Sequence, residues 1–262
     1  TIYFHIKDIP LSEDKREQIS QNSRTRALKN SAARRGLSER SFTRFSDWTP
    51  DLVLFVAHLT FDGELRRTTV GYSNRSKTLI SRVERLCKLV YAYPPRRYTN
   101  DKTGVVSIRY HNVVLADFLI QKAAVLPTQI SGLSKDCQRE YLRAFFDDEG
   151  CMDVRLDRHV RRVRGYQNDT AILLLVQKLL KNFGIEAVLR GRNEVVIFGY
   201  TNLVGFQKEI NFSAGVRLNP KRTNSVWKKD IEKRALLALA IDSFQKSTKS
   251  KSVNQTQTRQ RQ

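Results

Sequence analysis

Leu142-Arg143-Ala144-Phe145-Phe146-Asp147-Asp148-Glu149-Gly150 and Phe55-Val56-Ala57-His58-Leu59-Thr60-Phe61-Asp62-Gly63 are the stretches that decide how this chain folds. Each reads as an apolar helix, Tyr141–Asp148 and Leu52–Phe61, closed by an acidic residue and a glycine. Outward from each, a strand-like stretch leads into Gly-Tyr-x-Asn, at Gly71-Tyr72-Ser73-Asn74 and at Gly165-Tyr166-Gln167-Asn168. An amphipathic helix follows, Leu79–Val90 and Ile172–Phe183, with apolar residues at three- and four-residue steps. A β-rich segment then closes on Tyr110-His111-Asn112-Val113-Val114 and on Tyr200-Thr201-Asn202-Leu203-Val204. Four landmarks recurring in one order mark an internal duplication. The implied fold is α+β, with two pseudo-symmetric αββαββα repeats in one chain.

Around this frame, 262 residues are enough to bury a core without disulfide staples. The 47 Lys+Arg against 26 Asp+Glu give a net charge of +21, which repels itself unless a polyanion is near. Nucleic acid is the leading partner. An anionic membrane could supply the same counter-charge, but no apolar run is expected to reach the roughly 20 residues of a spanning helix. The longest candidates, Ala171–Leu180 and Ala235–Ile241, are shorter. Hydrophobic residues make up 40% of the chain, which disfavours global disorder. Cys87, Cys137 and Cys151 are odd in number and widely spaced, so neither a disulfide framework nor a zinc site is supported and a reducing compartment is expected. His5, His58, His111 and His159 show no ligand spacing, and His58 reads as a packed histidine within its helix. Thr1–Lys7 lacks the apolar length of a secretory signal, so an intracellular location is expected, with an upstream segment left open by the absent Met.

Four regions are expected. Residues 1–47 are a basic extension with helical spacing over Ser12–Ala33 and a break at Gly36. Residues 48–133 and 134–245 are the repeats. Residues 246–262 carry Lys246, Lys249, Lys251, Arg259 and Arg261 without an acidic residue and read as a disordered basic tail.

The two acidic-ended helices resemble the paired motifs of single-chain LAGLIDADG homing endonucleases, over roughly Trp48 to Ala240. The second motif is nearer the usual form and is preceded by Leu126-Pro127. Ala57 and Ala144 fill the third position, where a small residue lets the helices approach. The seventh position departs from the family's small residue, with Phe61 and Asp148. The resemblance implies a DNA-binding saddle in which Asp62 and Glu149 end side by side. Two close carboxylates favour a divalent cation, and hard oxygen ligands favour Mg2+, so both are the expected metal-binding catalytic pair. Asp147 and Asp148 are rivals to Glu149, but at 100° per residue only one of the three should face the axis. The plain alternative is that Asp62 and Glu149 merely precede C-capping glycines.

By the same resemblance a basic residue stands near each cleft, Lys221 in the second half and Lys122 in the first. Gln167 is expected to hold a metal-bound water, with Ser73 its counterpart. Reading strands should alternate polar and apolar residues. Glu64–Val70 offers Arg66 and Arg67, while Asp153–Arg164 offers Arg155, Arg161, Arg162 and Arg164, whose forks suit guanine edges. The expected function is a monomeric, Mg2+-dependent endonuclease making a site-specific double-strand break in a long asymmetric DNA target, of the intron-homing type. It would work in the cytoplasm of a prokaryote or the matrix of a mitochondrion or chloroplast. The alternative is a non-cleaving relative acting as an intron RNA maturase or a transcription regulator. With about six to ten phosphate contacts, log K for duplex DNA should fall with log[salt] at a slope of roughly −5 to −9 in a titration series. A nearly flat line would contradict an electrostatic interface.

Overall fold

A computed structural model of the protein describes residues 12–34, 41–219 and 227–244. The chain divides into two compact units, Thr1–Phe42 and Thr43–Gln262. The first holds helix α1, Glu13–Arg34, with Glu13 and Asp14 in the first turn, where the helix dipole favours acids. Its described side chains are exposed or half-buried, as suits a helix that is polar all round. The expected basic tail and the break at Gly36 lie outside the described residues.

The second unit holds the duplication. Its first repeat runs α2 (Pro50–Phe61), β1 (Gly63–Arg66), β2 (Thr69–Asn74), α3 (Lys77–Cys87), β3 (Arg96–Asn100), β4 (Val105–Tyr110) and α4 (Val113–Gln129). Its second runs α5 (Lys135–Asp148), β5 (Gly150–Arg155), β6 (Val160–Tyr166), α6 (Thr170–Asn182), β7 (Ala187–Arg190), β8 (Glu194–Phe198) and α7 (Tyr200–Glu209). Residues 233–244 form a further helix. Each repeat builds a four-stranded antiparallel sheet, in orders β1-β2-β4-β3 and β5-β6-β8-β7. The α+β class and the αββαββα unit are those expected from the sequence.

Local chemistry explains where the elements start. The Thr49 side chain accepts from Leu52 N and Pro50 occupies the first turn of α2. Ser134 accepts from Cys137 N, so α5 begins before the apolar run at Tyr141. Its opening turns carry Lys135, Asp136, Arg139 and Glu140, whose charge hides the helix from a reading of apolar spacing. The core lies in two layers. Leu79, Ile80, Val83 and Leu86 of α3 and Leu173, Val176, Leu179 and Leu180 of α6 are buried, as are Val70, Tyr72 and Ile108 of the first sheet and Val163, Val195 and Ile197 of the second.

Gly63 and Gly150 turn each seam helix directly into its first strand. A Cβ on Gly63 would lie 2.2 Å from the Leu59 carbonyl oxygen, and one on Gly150 2.3 Å from that of Phe146. Neither glycine has positive φ, so neither is a left-handed C-cap. They are glycines because the backbone doubles back onto the carbonyl four residues earlier.

The strand register corrects two of the four sequence landmarks. Gly63 pairs with Tyr72, whereas Gly150 pairs with Gly165. Tyr72 therefore corresponds to Gly165, and the two Gly-Tyr-x-Asn segments are offset by one residue. Tyr72 faces the core at 1% exposure, while a Cβ on Gly165 would strike the Phe145 ring at 2.4 Å, so Gly165 is the core-facing residue in its repeat. The counterpart of Gln167 is thus Asn74, not Ser73. The two Tyr-x-Asn segments also differ: Asn112 N-caps α4 by accepting from Val114 N and Leu115 N, whereas Asn202 lies inside α7, which is capped by Gly199.

One expectation about length also changes. Val113–Gly132 is a helical stretch of 20 residues, long and apolar enough by length and composition to cross a membrane. In this fold its Leu115, Ala116, Phe118, Leu119, Leu126 and Ile130 are buried.

Gly150→Ala should destabilise the fold by about 1–3 kcal/mol or more in a denaturant titration, because the added methyl meets backbone. Gly132→Ala, where a Cβ meets nothing within 4 Å, should be close to neutral.

Candidate functional site

The seam between the repeats is the pair α2 and α5. Ala57 and Ala144 are fully buried in it, as the third position of each motif requires. The departures at the seventh position are filled by contacts that cross the pseudo-two-fold axis. Counting from Phe55 and Leu142, Phe61 at position seven packs edge-on against Phe145 at position four of the other helix, with ring centroids 5.3 Å apart. The mirror pair is polar: Asp148 at position seven meets His58 at position four, with Nδ1 and Oδ2 2.8 Å apart. One crossed pair is aromatic and the other a polar hydrogen-bonded pair, so the two-fold relation is kept in place but not in chemistry.

The acidic end of the seam is held by donors from both repeats. Tyr72 Oη donates to Asp148 Oδ1 at 2.7 Å, so both oxygens of that fully buried carboxylate are engaged by first-repeat side chains. Burial first, and then the charge of Asp148 and its hydrogen bond, push the Tyr72 phenol above its ordinary value, which keeps it a donor. Asp147 is held by Arg82 Nη1 at 2.8 Å and by the Ser213 backbone N–H at 2.9 Å. Lys233, in the helix 233–244, donates to the carbonyls of Phe146 and Asp147 at 3.2 and 2.8 Å and so caps the negative end of α5. Glu149 is the C-cap residue of α5, with its N–H on the Phe145 carbonyl and its own carbonyl accepting from Tyr166 N.

The expectation that only one of the three acids faces the other repeat is thereby corrected. Asp147 and Asp148 both bond first-repeat side chains, each of their four oxygens accepts a hydrogen bond, and both side chains are fully buried. The remaining acids of the cluster are Asp62 and Glu149. Asp62 is the C-cap of α2, and Asn74 Nδ2 donates to its Oδ2 at 2.8 Å. Asp62 keeps an exposed face, yet its carboxyl is pushed up to about 6, mainly by desolvation against the protein packed around it and next by Asp148, against the opposing effects of Asn74, His58 and Lys233. A carboxylate so destabilised is one that a cation would favour. Among the described residues no cluster of three or more His, Cys, Asp or Glu side chains is arranged as a metal site. Mg2+ does not need one, because it takes one or two carboxylates and keeps water and phosphate oxygens for the rest of its shell.

The other expected site residues scatter. Lys221 lies outside the described residues. The Lys122 ammonium sits over the rings of Phe45, Trp48 and Phe118, 4.6 to 5.5 Å from their centroids. Trp48 precedes the start of α2, so Lys122 stands one helix length, about 18 Å, from the Asp62 end. Gln167 Oε1 accepts from Asn168 N and Asp169 N just ahead of α6. Asn74, His58, Tyr72, Arg82 and Lys233 were not singled out as site residues. Asn74 emerges only from the strand register that pairs Gly63 with Tyr72, which the sequence does not show.

The expected reading strands also rearrange. Asp153–Arg164 folds as a hairpin, with a tight turn over Leu156–Arg158 and His159 in the left-handed region. Arg162 and Arg164 share the outer face of β6, while Arg161 falls on the opposite face by the period of two. Its Nε donates to Ser243 Oγ and its guanidinium covers the Phe244 ring at 4.6 Å. Arg161 is thus a packing residue beneath the sheet. In the first repeat, Arg66 lies on the outer face of β1 and Arg67 in the turn that follows.

The sign of the Asp62 shift gives a test. A carboxyl raised above its ordinary 3.8 binds its proton more tightly when folded, so its contribution to stability is full below pH 4 and is lost as pH rises through about 6. Stability measured relative to Asp62→Asn should therefore fall across that window. The Asp62 resonance should titrate near 6 by carbon NMR, and Asp148→Asn should move that midpoint down. An Asp62 midpoint near 4 in the unmodified protein would remove the crowded-acid description.

The sequence model described as LAGLIDADG-like domain matches residues 136–211. No curated protein sequence matches the chain. Among solved structures, the G20S variant of I-DmoI in complex with its target DNA is 16% identical, with a TM-score of 0.49 over 62% of this chain and 98% of that one. Full-length DUF199/WhiA from Thermatoga maritima is 18% identical, with a TM-score of 0.47 over 66% of this chain and 59% of that one. I-DmoI in complex with DNA and Ca is 16% identical, with a TM-score of 0.46 over 63% and 91%. The matched residues 136–211 cover most of the second repeat, and the first repeat of the chain has the same strand order and seam helix.

Proposed function

We propose that the chain binds double-stranded DNA across its two sheets as a monomer and cuts both strands at a specific site, with Asp62 and Glu149 holding a divalent cation, Mg2+ in the first place. The observation that carries this reading is the equivalence of the two acids. Each directly follows a seam helix and precedes a glycine forced by the carbonyl four residues back, while the two rival acids are consumed by structural bonds. That a metal ligand should stand at the same place in both repeats is what cutting two strands requires. A bound divalent cation would neutralise the phosphate and supply an activated water.

The chain's own residues have separate tasks in this scheme. Asn74 fixes the orientation of Asp62 through its Nδ2 donor, and its own Oδ1 is anchored on Ser76 N. Lys233 and Arg82 offset the negative charge around Asp147, so that the acidic end of the seam stays folded without a cation. The formal +21 of the chain draws the DNA backbone in, leaving a small acidic spot where the scissile phosphates would sit. Lys221, in Asn219-Pro220-Lys221-Arg222, remains the candidate for a cation beside the second phosphate. Two unlike repeats in one chain suit an asymmetric target of the intron-homing kind.

Purified protein should nick or cut a plasmid that carries the flanks of its own gene in the presence of Mg2+. Asp62→Asn or Glu149→Gln should lower cutting by two orders of magnitude or more and leave the DNA affinity within about threefold. Cutting by both variants at the unmodified rate would sink the assignment of the pair. Tight, specific binding without cutting by the unmodified protein would favour the non-cleaving reading, with intron RNA or a promoter as the ligand to try next.

A further inference from the structure

The outer faces of the two sheets both carry arginines, yet the arginines are held in different ways. On the second sheet, the register places Asp153 opposite Arg162 and Cys151 opposite Arg164, with Arg155 at the end of β5 opposite Val160. Arg162 and Arg164 in turn lie opposite Phe198 and Val196 of β8, and Glu194 lies opposite Tyr166. By the period of two, Arg155, Arg162 and Arg164 share one face with Asp153 and Glu194, while Met152, Val154 and Val163 point into the core. Asp153 and Glu194 are nearly covered, with side chains 6% and 11% exposed, and the arginines lie over them.

The points of attachment matter. Arg155 reaches Asp153 Oδ1 through Nε at 3.1 Å, and Arg164 reaches Glu194 through Nε while its guanidinium stacks on Tyr166 at 4.9 Å. In both, the root of the fork is pinned. The paired terminal nitrogens make no hydrogen bond among the described residues, the nearest acidic oxygen to Arg164 Nη1 being at 3.8 Å. Arg162 is different, since Nε and Nη2 both grip Asp153 Oδ2, at 2.8 and 2.7 Å, and its fork is consumed. The first sheet inverts the pattern. There Glu64 holds Arg66 and Arg109 by their Nη2 tips, the latter at 3.1 Å.

Two physical arguments decide what such a face can recognise. A carboxylate beside each guanidinium repels a phosphate, so a surface meant to grip the backbone would leave its arginines without acid partners. A base edge is neutral and incurs no such penalty. Guanine offers O6 and N7 side by side in the major groove, matched to the two terminal N–H donors of one guanidinium, and pinning the root removes rotamer entropy before binding. The geometry points to Arg155 and Arg164 as guanine readers, which makes the half of the target under the second sheet the guanine-specified half. Four residues of β6 separate Val160 from Arg164, about 13 Å along the strand, so the two guanines should stand about four base pairs apart. This rests on the DNA-binding reading given above, but not on cutting.

The test is selection of bound duplexes from a randomised library by the full chain, without Mg2+, followed by sequencing. The expected result is two guanine preferences about four base pairs apart in one half of the selected site. Arg155→Lys and Arg164→Lys keep the charge and lose the fork, so each should relax one guanine by roughly 5- to 150-fold while retention of unselected duplex stays within about threefold. Glu194→Gln should relax the Arg164 guanine alone, which a general packing role would not do, and Arg66→Lys should leave both. A thermal melt of each variant separates misfolding from lost recognition. Selected sites without guanine in either half, or guanines that persist in both lysine variants, overturn the inference while leaving DNA binding intact. Retention of no duplex at all removes the DNA-binding reading and this inference together.

Discussion

The rest of the structure depends on how closely two helices approach at the seam of the repeats. Ala57 and Ala144 allow the approach, and the residues one turn further on decide its register. Phe61 against Phe145 and Asp148 against His58 occupy the two crossed positions that a symmetric seam would fill identically. A buried carboxylate stripped of its donors costs several kcal/mol, so the register in which His58 and Tyr72 both reach Asp148 is strongly favoured over any slip. From that register the rest follows. In each repeat the backbone reverses at the glycine that closes the seam helix, Gly63 or Gly150, and the first strand begins there.

The same seam sorts four acids into two kinds. Asp147 and Asp148 are structural, each with both oxygens bonded and each reaching into the first repeat. Asp62 and Glu149 close the helices and stand next to them. Asp62 feels Asp148 as a charge, and this, after desolvation, raises its carboxyl to about 6. One structural acid, Asp148, thus tunes Asp62, one of the two acids proposed to hold a cation. The basic side chains are divided in a parallel way: Arg82 and Lys233 compensate the buried acids, Arg161 packs under its sheet, and Arg155 and Arg164 stand on the outer face. The net charge of +21 by itself says nothing about that division.

The legible part of the site was the part written in consecutive residues. An apolar helix ending in an acid and a glycine is a local pattern, and it placed Asp62, Glu149, Ala57 and Ala144 at the seam. The pattern failed where a residue's role depends on strand parity. Gly-Tyr-x-Asn occurs twice, but an offset of one residue puts Tyr72 in the core and Tyr166 on the outer face, so sequence similarity matched residues that the fold sets on opposite sides. Arg161 was misread for the same reason, and Lys122 because an ammonium over three aromatic rings looks, in sequence, like any other lysine on a helix.

By itself the sequence determined the duplication, the fold class, the seam helices and the acids that close them, because these depend on helical period and on backbone chemistry within a few residues. The tertiary structure decided which acids are buried and bonded across the seam, which asparagine bonds Asp62, and which arginines lie on the outer face of their sheet. Those outcomes depend on strand register and on partners 65 to 131 residues away, as with Arg82 reaching Asp147 and Ser213. A one-residue change of register reverses the face of every side chain on a strand, and only the packed seam fixes the register.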